Sequence, residues 1–466
     1  MIAYRLKVCM RDRSGQKVVI LGAARQGTAV ARFIVERGGR VVLSDQRSFN
    51  QLQDVQESLA DLPIEWVFDG HPLDLLDGTD LVCVSGGVPL SIPIITSARE
   101  RGIPLSNDSQ IFLEECPCKV IGITGSAGKT TTTILVGRMA GIAAKMSVQS
   151  GKDWQAWVGG NIGNPLIAEL EKIETDDLAV MELSSFQLEI MSSSPQVAAV
   201  LNITPNHLDR HITMENYTTA KAHILTSQSA TDVAVLGRDD PGAWGLAGLS
   251  KGHLVTFGKT AEVPGTGTFL QDNNIYLRSR DSDTLIMPQE TVQLRGEHNL
   301  ENVLAACAIA FASDLPVEAI QTGVKDISVI PHRLEFVRVW GGAEWYNDSI
   351  ATAPERSMAA IRSFDEPLVL LAGGRDKNLP WDEFASLVHQ RVEHLILFGE
   401  AADKIAMAFS DMPISSCSNL KEAVHMAAQV VREGDVVLLS PGGTSFDEFR
   451  DYEERGECFK HLVMQL

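Results

Sequence analysis

The chain has no CxxC pair, so it lacks the paired spacing on which a structural zinc site is usually built. Its seven cysteines are scattered and odd in number, and only Cys116-Pro-Cys118 brings two of them close. A disulfide framework is therefore not expected, and the thiols read as reduced, as in a cytosolic protein. No apolar run reaches the ~18–20 residues that a membrane span needs. The opening stretch MIAYRLKVCMRDRSG alternates charged and apolar residues and lacks the apolar core of a secretory signal. A soluble, cytoplasmic protein without membrane insertion is the expectation. Positive charge is in deficit: 40 Lys and Arg stand against 60 Asp and Glu, a net charge of −20. Such a chain repels nucleic-acid phosphates as a whole, so no nucleic-acid partner is expected. Phosphate can still bind where backbone N–H groups converge, because such sites do not depend on global charge. Internal repeats and low-complexity tracts are also missing.

What is present is an ordinary globular composition, 44% apolar and 21% charged, over 466 residues. At roughly 100–200 residues per domain this length suggests three domains. Short β-branched runs alternate with helical patterns: KVVILG (17–22), RVVLSD (40–45), DLVCVSG (80–86), KVIGITG (119–125), LAVMELS (178–184), QVAAVLNIT (196–204), DVAVLG (232–237), PLVLLAGG (367–374), EHLILFG (393–399) and DVVLLSPGG (435–443). These runs are apolar throughout rather than alternating, as strands buried on both faces of a parallel sheet are. The fold class expected is α/β, with doubly wound domains. A break at ECPCK ends a first section, 1–116; a second runs over 117–329 and a third over 330–466. The second holds FLQDNNIYLR, which reads as a hairpin over Asn-Asn, and the third opens with a hairpin over Gly341-Gly342.

Two strand-to-helix turns are rich in glycine. In VVILGAARQGTAVARFI, Gly22 and Gly27 flank Ala24, which stands where a dinucleotide fingerprint has its middle glycine, and Asp45 follows the next strand. That glycine lets a pyrophosphate approach the backbone, so its absence argues against a plain nicotinamide site. The helix N-terminus still offers N–H groups to a diphosphate, and a ligand-free tight turn is the alternative. In KVIGITGSAGKTTTTILVGRMA a strand feeds Gly125-Ser126-Ala127-Gly128-Lys129-Thr130-Thr131 and then a helix. Glycines free that backbone to wrap phosphate oxygens, Lys129 supplies a cation and the Thr130 hydroxyl can reach Mg²⁺. Ile123 occupies the first glycine position of the strict motif, so this is a variant phosphate loop.

A nucleotide loop needs acidic partners. Glu182 in MELSSFQLE ends an apolar strand, where a carboxylate faces the ligand crevice of an α/β sheet, although a solvated loop glutamate reads equally simply. His207 and Asp209 in LNITPNHLDRH follow another strand end. By pattern alone, His207 could be a packing residue and Lys221 a surface lysine. Asn299 and Asn302 lie near a helix start, where Asn299 could be a cap. Arg333 and Asp348 could be surface loop charges.

Taken in order, TGSAGKTTTT, GGNIG, ELSSFQLE, LNITPNHLDRH, GEHNLENVLAA, PHRLE, NDSIAT and SPGGTSFDEFRDYEERG resemble the Mur ligase family over nearly the whole chain. ELSSFQLE and the C-terminal segment are most similar to its glutamate-adding branch. The resemblance implies a Rossmann-like domain for the UDP end of the substrate, a central ATP-binding domain and a C-terminal domain for the amino acid. It implies ATP-dependent ligation of D-glutamate to UDP-N-acetylmuramoyl-L-alanine through an acyl phosphate, in a monomer. L-Glutamate, or another Mur or folylpolyglutamate-type ligation, is the alternative. The UDP end would meet Gly22, Gly27, Asp45, Arg47 and the turn at Ser85–Gly87. Asn161 and His207 would face the muramoyl part. ATP would be held by Gly125 to Thr131 and by Asn302, Arg333 and Asp348. Two Mg²⁺ ions are implied, with Thr130, Glu182, His207 and a carbamylated Lys221 as ligands. Thr352, Lys377, Ser445 and Tyr452 would contact the amino acid. Ala127 departs from the asparagine usual in the family's loop, which the loop backbone should tolerate. Ile350 replaces a lysine common in NDSKATN, which removes a cation near the amino-acid pocket. The phosphate loop is also compatible with a nucleotide-driven switch or motor. The first turn is compatible with an oxidoreductase, against which the missing glycine counts.

Overall fold

The computed structural model describes residues 11–148, 151–279, 282–294, 296–325, 331–376, 379–409 and 412–466. It forms two compact units. One comprises the chain up to Thr291 with Glu301–Lys325, and the other comprises Val292–Leu300 with the residues after Lys325.

The first unit contains two sheets. One has five parallel strands in the order Ile64–Val67, Arg40–Ser44, Lys17–Leu21, Leu81–Val84 and Leu105–Ser106. Its central strand is buried on both faces, Val18 and Ile20 on one and Val19 and Leu21 on the other, as the unbroken apolar run required. The chain leaves that strand in opposite directions to reach its two neighbours. This switch point lies at the carboxyl end of Lys17–Leu21, where Gly22 begins the glycine-rich turn. Helix Arg25–Glu36 follows and buries Val30, Ala31, Phe33 and Ile34.

The second sheet of this unit has nine strands. Lys119–Thr124 lies between Leu178–Glu182 and Val197–Val200, parallel to both. Its register sets Ile123 beside Glu182 and Thr124 beside Val200, so three strand ends open side by side. Helix Lys129–Val148 then runs back over the sheet and buries Leu135, Val136 and Met139. Helix Val317–Val324 packs on it through Gly323, where a Cβ would fall 2.5 Å from Met139 Cγ. An antiparallel extension, Thr266–Gln271, Asn274–Ser279 and Ser282–Pro288, widens the sheet. The hairpin expected over Asn-Asn turns one residue earlier. Gln271 pairs with Asn274, and Asp272 and Asn273 form the turn with φ of 49° and 57°. Asx residues tolerate left-handed backbone, and two such residues in succession match the twist of a hairpin.

The second unit carries a six-stranded sheet in the order Glu335–Trp340, Ala343–Asn347, Val436–Gly442, Leu368–Gly373, Val392–Phe398 and Ile414–Cys417. The hairpin over Gly341-Gly342 is present, with φ of 63° and 79° at the two glycines. Trp345, Leu439 and Phe459 fill one face, and Phe364, Leu438 and Phe384 the other. Among the described residues no helix is long and apolar enough to cross a membrane, and six described cysteines are free thiols.

Candidate functional site

The glycine-rich loop after Thr124 is built to hold something from its backbone. Gly128 has a φ of 81°, and a Cβ there would fall 2.1 Å from Asn302 Oδ1, so only glycine allows the loop to lie against Asn302. The neighbouring strand end grips the loop from below. Ser126 N–H donates to Asn202 O at 2.9 Å, Ala127 N–H donates to Asn202 Oδ1 at 2.8 Å, and Ser126 Oγ donates to Thr204 O at 2.9 Å. Lys129 begins the helix and folds over the loop, donating to Gly125 O at 2.7 Å and Ser126 O at 3.3 Å. These carbonyls hold the ammonium against the loop, where it could meet a phosphate bound there.

The Thr130 hydroxyl points to the next strand and donates to Glu182 Oε2 at 2.8 Å. Asn161 Nδ2 donates to the other oxygen, Glu182 Oε1, at 2.9 Å. Glu182 is only 2% exposed, so it is not the solvated glutamate that the pattern also allowed. Both of its oxygens are met by neutral donors. A buried carboxylate of this kind is stabilised by a cation, and its hard oxygens suit Mg²⁺.

Lys221 is not a surface lysine. It is 1% exposed, donates to Gly125 O at 2.9 Å and lies 4.6 Å from the centre of the Tyr217 ring. Burial pushes its amine well below the ordinary lysine range; the Lys129 cation adds to this and the Glu182 charge opposes it. A neutral amine is nucleophilic, which is the form that adds CO₂. His207 has left-handed backbone, φ 54°, and its ring meets the edge of Phe186 at 5.0 Å. Among the described residues no three His, Cys, Asp or Glu are arranged to hold a metal. The donor set is thus Glu182 and the Thr130 hydroxyl, with the Lys221 amine close enough to feel the Glu182 charge. It is short of oxygens unless Lys221 and a phosphate supply them.

The first glycine-rich turn lies in the same unit. Gly22 has a φ of 94°, and a Cβ on Gly27 would fall 1.9 Å from Gly22 O, so helix Arg25–Glu36 approaches the strand closely. Asp45 accepts from Ala23 N–H at 2.7 Å and pairs with Arg47 at 2.9 Å. Burial would raise Asp45, but Arg47 and the N–H groups of Ala23 and Arg47 outweigh it and hold the carboxyl at about 2. Ser85 Oγ donates to Gly22 O, and Arg210 reaches the carbonyls of Gly87 and Val88 at 3.5 and 3.2 Å. Ala24, Arg25 and Gln26 line a cavity of about 220 Å³ together with Gly160, Asn161, Gly163 and Pro165. Asn161 therefore faces the cavity from one side and holds Glu182 from the other.

The second unit has its own polar cluster. Asp348 is buried, and it accepts from Ser440 Oγ at 2.8 Å and Leu334 N–H at 3.3 Å. Burial pushes it up to about 7, against the Ser440 bond and the Arg333 cation. It is no surface charge. His332 and Leu334, on either side of Arg333, both have positive φ, 61° and 42°. Thr352 is half-buried, Ser445 is buried and Tyr452 opens helix Tyr452–Gln465. Lys377 lies outside the described residues. Asn299 is not a cap: it stands inside helix Glu297–Ala312, and its N–H donates to Gly296 O. Ile350 is buried, and its N–H donates to His332 O.

Sequence reasoning did not single out Asn202, Tyr217 or Arg455. Asn202 and Tyr217 sit within or beside the quoted segments but carry no charge to draw attention. Arg455, in the charged run DYEERG, reads as solvated. It is fully buried, donating to Ser349 Oγ, Ser349 O and Gly443 O at 3.0, 2.8 and 3.1 Å.

Comparison with known proteins identifies the family. Residues 16–107 match the model for the Mur ligase MurD-like N-terminal domain, 123–310 the Mur ligase middle domain, and 332–443 the Mur ligase glutamate ligase domain. The chain is 40% identical to UDP-N-acetylmuramoylalanine–D-glutamate ligase of Symbiobacterium thermophilum, over 97% of this chain and 98% of that one. It is 36% identical to the enzyme of the same name from Acetivibrio thermocellus, over 97% of each. Among solved structures, UDP-N-acetylmuramate-alanine ligase MurC of Thermotoga maritima shares the fold, with a TM-score of 0.59 at 17% identity, over 96% of this chain and 99% of that one. With a phosphate loop, a buried acidic strand end and three matched domains in the family's order, the chain belongs to the Mur ligase family.

Proposed function

We propose that this chain joins D-glutamate to UDP-N-acetylmuramoyl-L-alanine at the expense of ATP, as a cytoplasmic monomer with domain limits near residues 116 and 330. The terminal carboxylate of the UDP-linked substrate attacks the γ-phosphate, ADP leaves and an acyl phosphate forms. The amine of glutamate then attacks the acyl carbon, and inorganic phosphate leaves. The observation that carries this reading is the row running from the cavity at Ala24–Gln26 through Asn161 and Glu182 to Thr130 and Lys129. It connects a diphosphate-type turn to a phosphate loop without a break.

In this reading the N–H groups of Gly125 to Thr131 cradle the ATP phosphates, and Lys129 offsets their charge as the anionic carboxylate approaches. Asn302, Arg333 and Asp348 contact the nucleotide. Two magnesium ions, held by Thr130, Glu182, His207 and a carbamylated Lys221, would supply further positive charge against the repulsion between carboxylate and polyphosphate. Asp45, Arg47, Gly22, Gly27 and Gly87 take the UDP end, and Asn161 and His207 the muramoyl part. Thr352, Lys377, Ser445 and Tyr452 take glutamate.

A second reading, ligation of L-glutamate, is favoured by one observation. Ile350 is buried where the family's NDSKATN pattern carries a lysine, so a cation near the acyl-transfer site is lost and the choice of amino acid is open to either form. Phosphate release from ATP with UDP-N-acetylmuramoyl-L-alanine, compared between D- and L-glutamate, decides. Release stimulated by D-glutamate alone supports the first reading, L-glutamate alone the second, and release independent of either amino acid overturns both.

A further inference from the structure

The residues proposed as metal ligands come from three separate stretches. Glu182 ends a strand, His207 precedes helix Leu208–His211, and Lys221 lies within helix Met214–Thr226. Hydrogen bonds tie Glu182 to Thr130 and to Asn161.

A row of packed rings spans that distance. His207 meets the edge of Phe186 at 5.0 Å. The opposite neighbour of Phe186 is His211, stacked at 5.2 Å with an interplanar angle of 3°. His211 in turn lies 5.2 Å from Tyr217, and the Lys221 amine sits 4.6 Å from the centre of the Tyr217 ring. Each ring step is at the centroid separation of an interacting aromatic pair, and the Lys221 side chain lies against the face of Tyr217.

His211 is the most heavily tied member of the row. Its Nε2 is 2.9 Å from Ser185 Oγ, and its Nδ1 is 3.5 Å from Glu189 Oε2. Its N–H donates to His207 O at 3.0 Å, which helps hold His207 in its left-handed backbone, and its own carbonyl accepts from Asn216 Nδ2 at 3.0 Å. The Ser185–His211–Glu189 order resembles a nucleophilic triad, but Ser185 is 3% and His211 4% exposed, so no substrate can reach the hydroxyl. The bonds serve to fix the ring instead. They anchor it to the segment that carries Glu182 and, through Phe186 and Tyr217, to the other two stretches.

Resting on the metal-site reading above, we infer that His211 is a positioning residue: it touches no reactant and sets His207 and Lys221 in place for the magnesium ion that they share with Glu182. Partners that orient metal ligands in this way govern metal affinity more than nucleotide affinity.

Manganese, counted by electron paramagnetic resonance on the full chain saturated with a nonhydrolysable ATP analogue and UDP-N-acetylmuramoyl-L-alanine, tests this without turnover. In the unmodified protein, two bound ions are expected, one of them lost in His207→Ala. His211→Ala should weaken that same ion about tenfold, while the other ion and the nucleotide analogue change by less than about twofold. Ser185→Ala removes one anchor and leaves the ring, and should weaken the same ion by about threefold. It carries the test should His211→Ala fail to fold, as read from its melting curve. Unchanged manganese binding in folded variants, or equal loss of manganese and nucleotide, would overturn the role of His211. Manganese binding unaffected by His207→Ala would instead overturn the metal site itself, and the inference with it.

Discussion

The two glycine-rich turns, after Leu21 and after Thr124, share one backbone plan and differ in what meets their N–H groups. Each follows the carboxyl end of a central parallel strand, and each leads into a helix through glycines with positive φ, Gly22 and Gly128. In the first, a carboxylate already occupies the turn: Asp45 accepts from Ala23 N–H and is held ionised by Arg47. A second anion at that point would be repelled, so in the proposed function the diphosphate would lie along the helix start, by the cavity at Ala24–Gln26. In the second, the side-chain acceptor is the neutral amide of Asn202 on Ala127 N–H, and a lysine lies over the loop. A neutral acceptor can be exchanged for a phosphate at small cost, and in the proposed function Lys129 would change partner from carbonyl to phosphate. In the proposed function the same fold element would make a holding site in one place and a reacting site in the other. Side-chain charge decides between them.

The strongest way to break that contrast is Lys129→Ala. It should lower turnover by about a thousandfold or more, as loss of a charge clamp on phosphoryl transfer does, yet leave UDP-substrate affinity within about threefold. Phosphate release and calorimetry measure the two, and equal loss in both would mean that the turns are not separate sites. Lys221→Ala comes next, with a loss of about a hundredfold, partly restored by formate or acetate filling the ligand gap. A carbamate signal from ¹³C-bicarbonate in the unmodified protein, absent in the variant, would sharpen it, and a fully active variant would remove Lys221 from the site. Gly128→Ala should raise the KM for ATP about tenfold, because its Cβ strikes Asn302 in a backbone that alanine resists.

The smallest effect belongs to the first turn. Asp45→Asn should raise the KM for the UDP substrate by several-fold, on the order of what one charge-assisted hydrogen bond contributes, with kcat nearly unchanged. Its stability effect has a definite sign. Asp45 is depressed from 3.8 to about 2 in the folded chain, so its contribution is present above the unfolded value and lost as pH falls through the folded one. The melting temperature of Asp45→Asn should lie below that of the unmodified protein at pH 7, with the gap closing between pH 3.8 and about 2. A gap independent of pH would mean that packing, not charge, is what Asp45 supplies.

Much of this was legible in the residues. Unbroken apolar runs such as KVVIL and LVLLAG can be satisfied only by burial on both faces, so the parallel sheets followed from composition and spacing. Gly341-Gly342 fixed its hairpin because both turn positions need left-handed backbone, which glycine supplies freely. QDNN was less decisive. Asp and Asn tolerate that backbone nearly alike, so the turn could fall on either pair, and cross-strand pairing chose Asp272-Asn273. The phosphate loop was readable because strand, glycines, lysine and helix are contiguous along the chain.

Tertiary packing decided the rest. A lysine, an arginine or an aspartate has the same letter whether solvated or buried. Lys221 could be read as a surface lysine and Arg455 drew no reading at all, and burial with its shifts in proton affinity comes from residues far away in sequence. The bonds from Thr130 and Asn161 to Glu182 cross 52 and 21 residues, and strand order and register alone brought those groups together. Local chemistry is written in neighbouring residues because it acts over a few bonds. The state of a buried charge depends on everything within a few ångströms, and only the folded chain determines what that is.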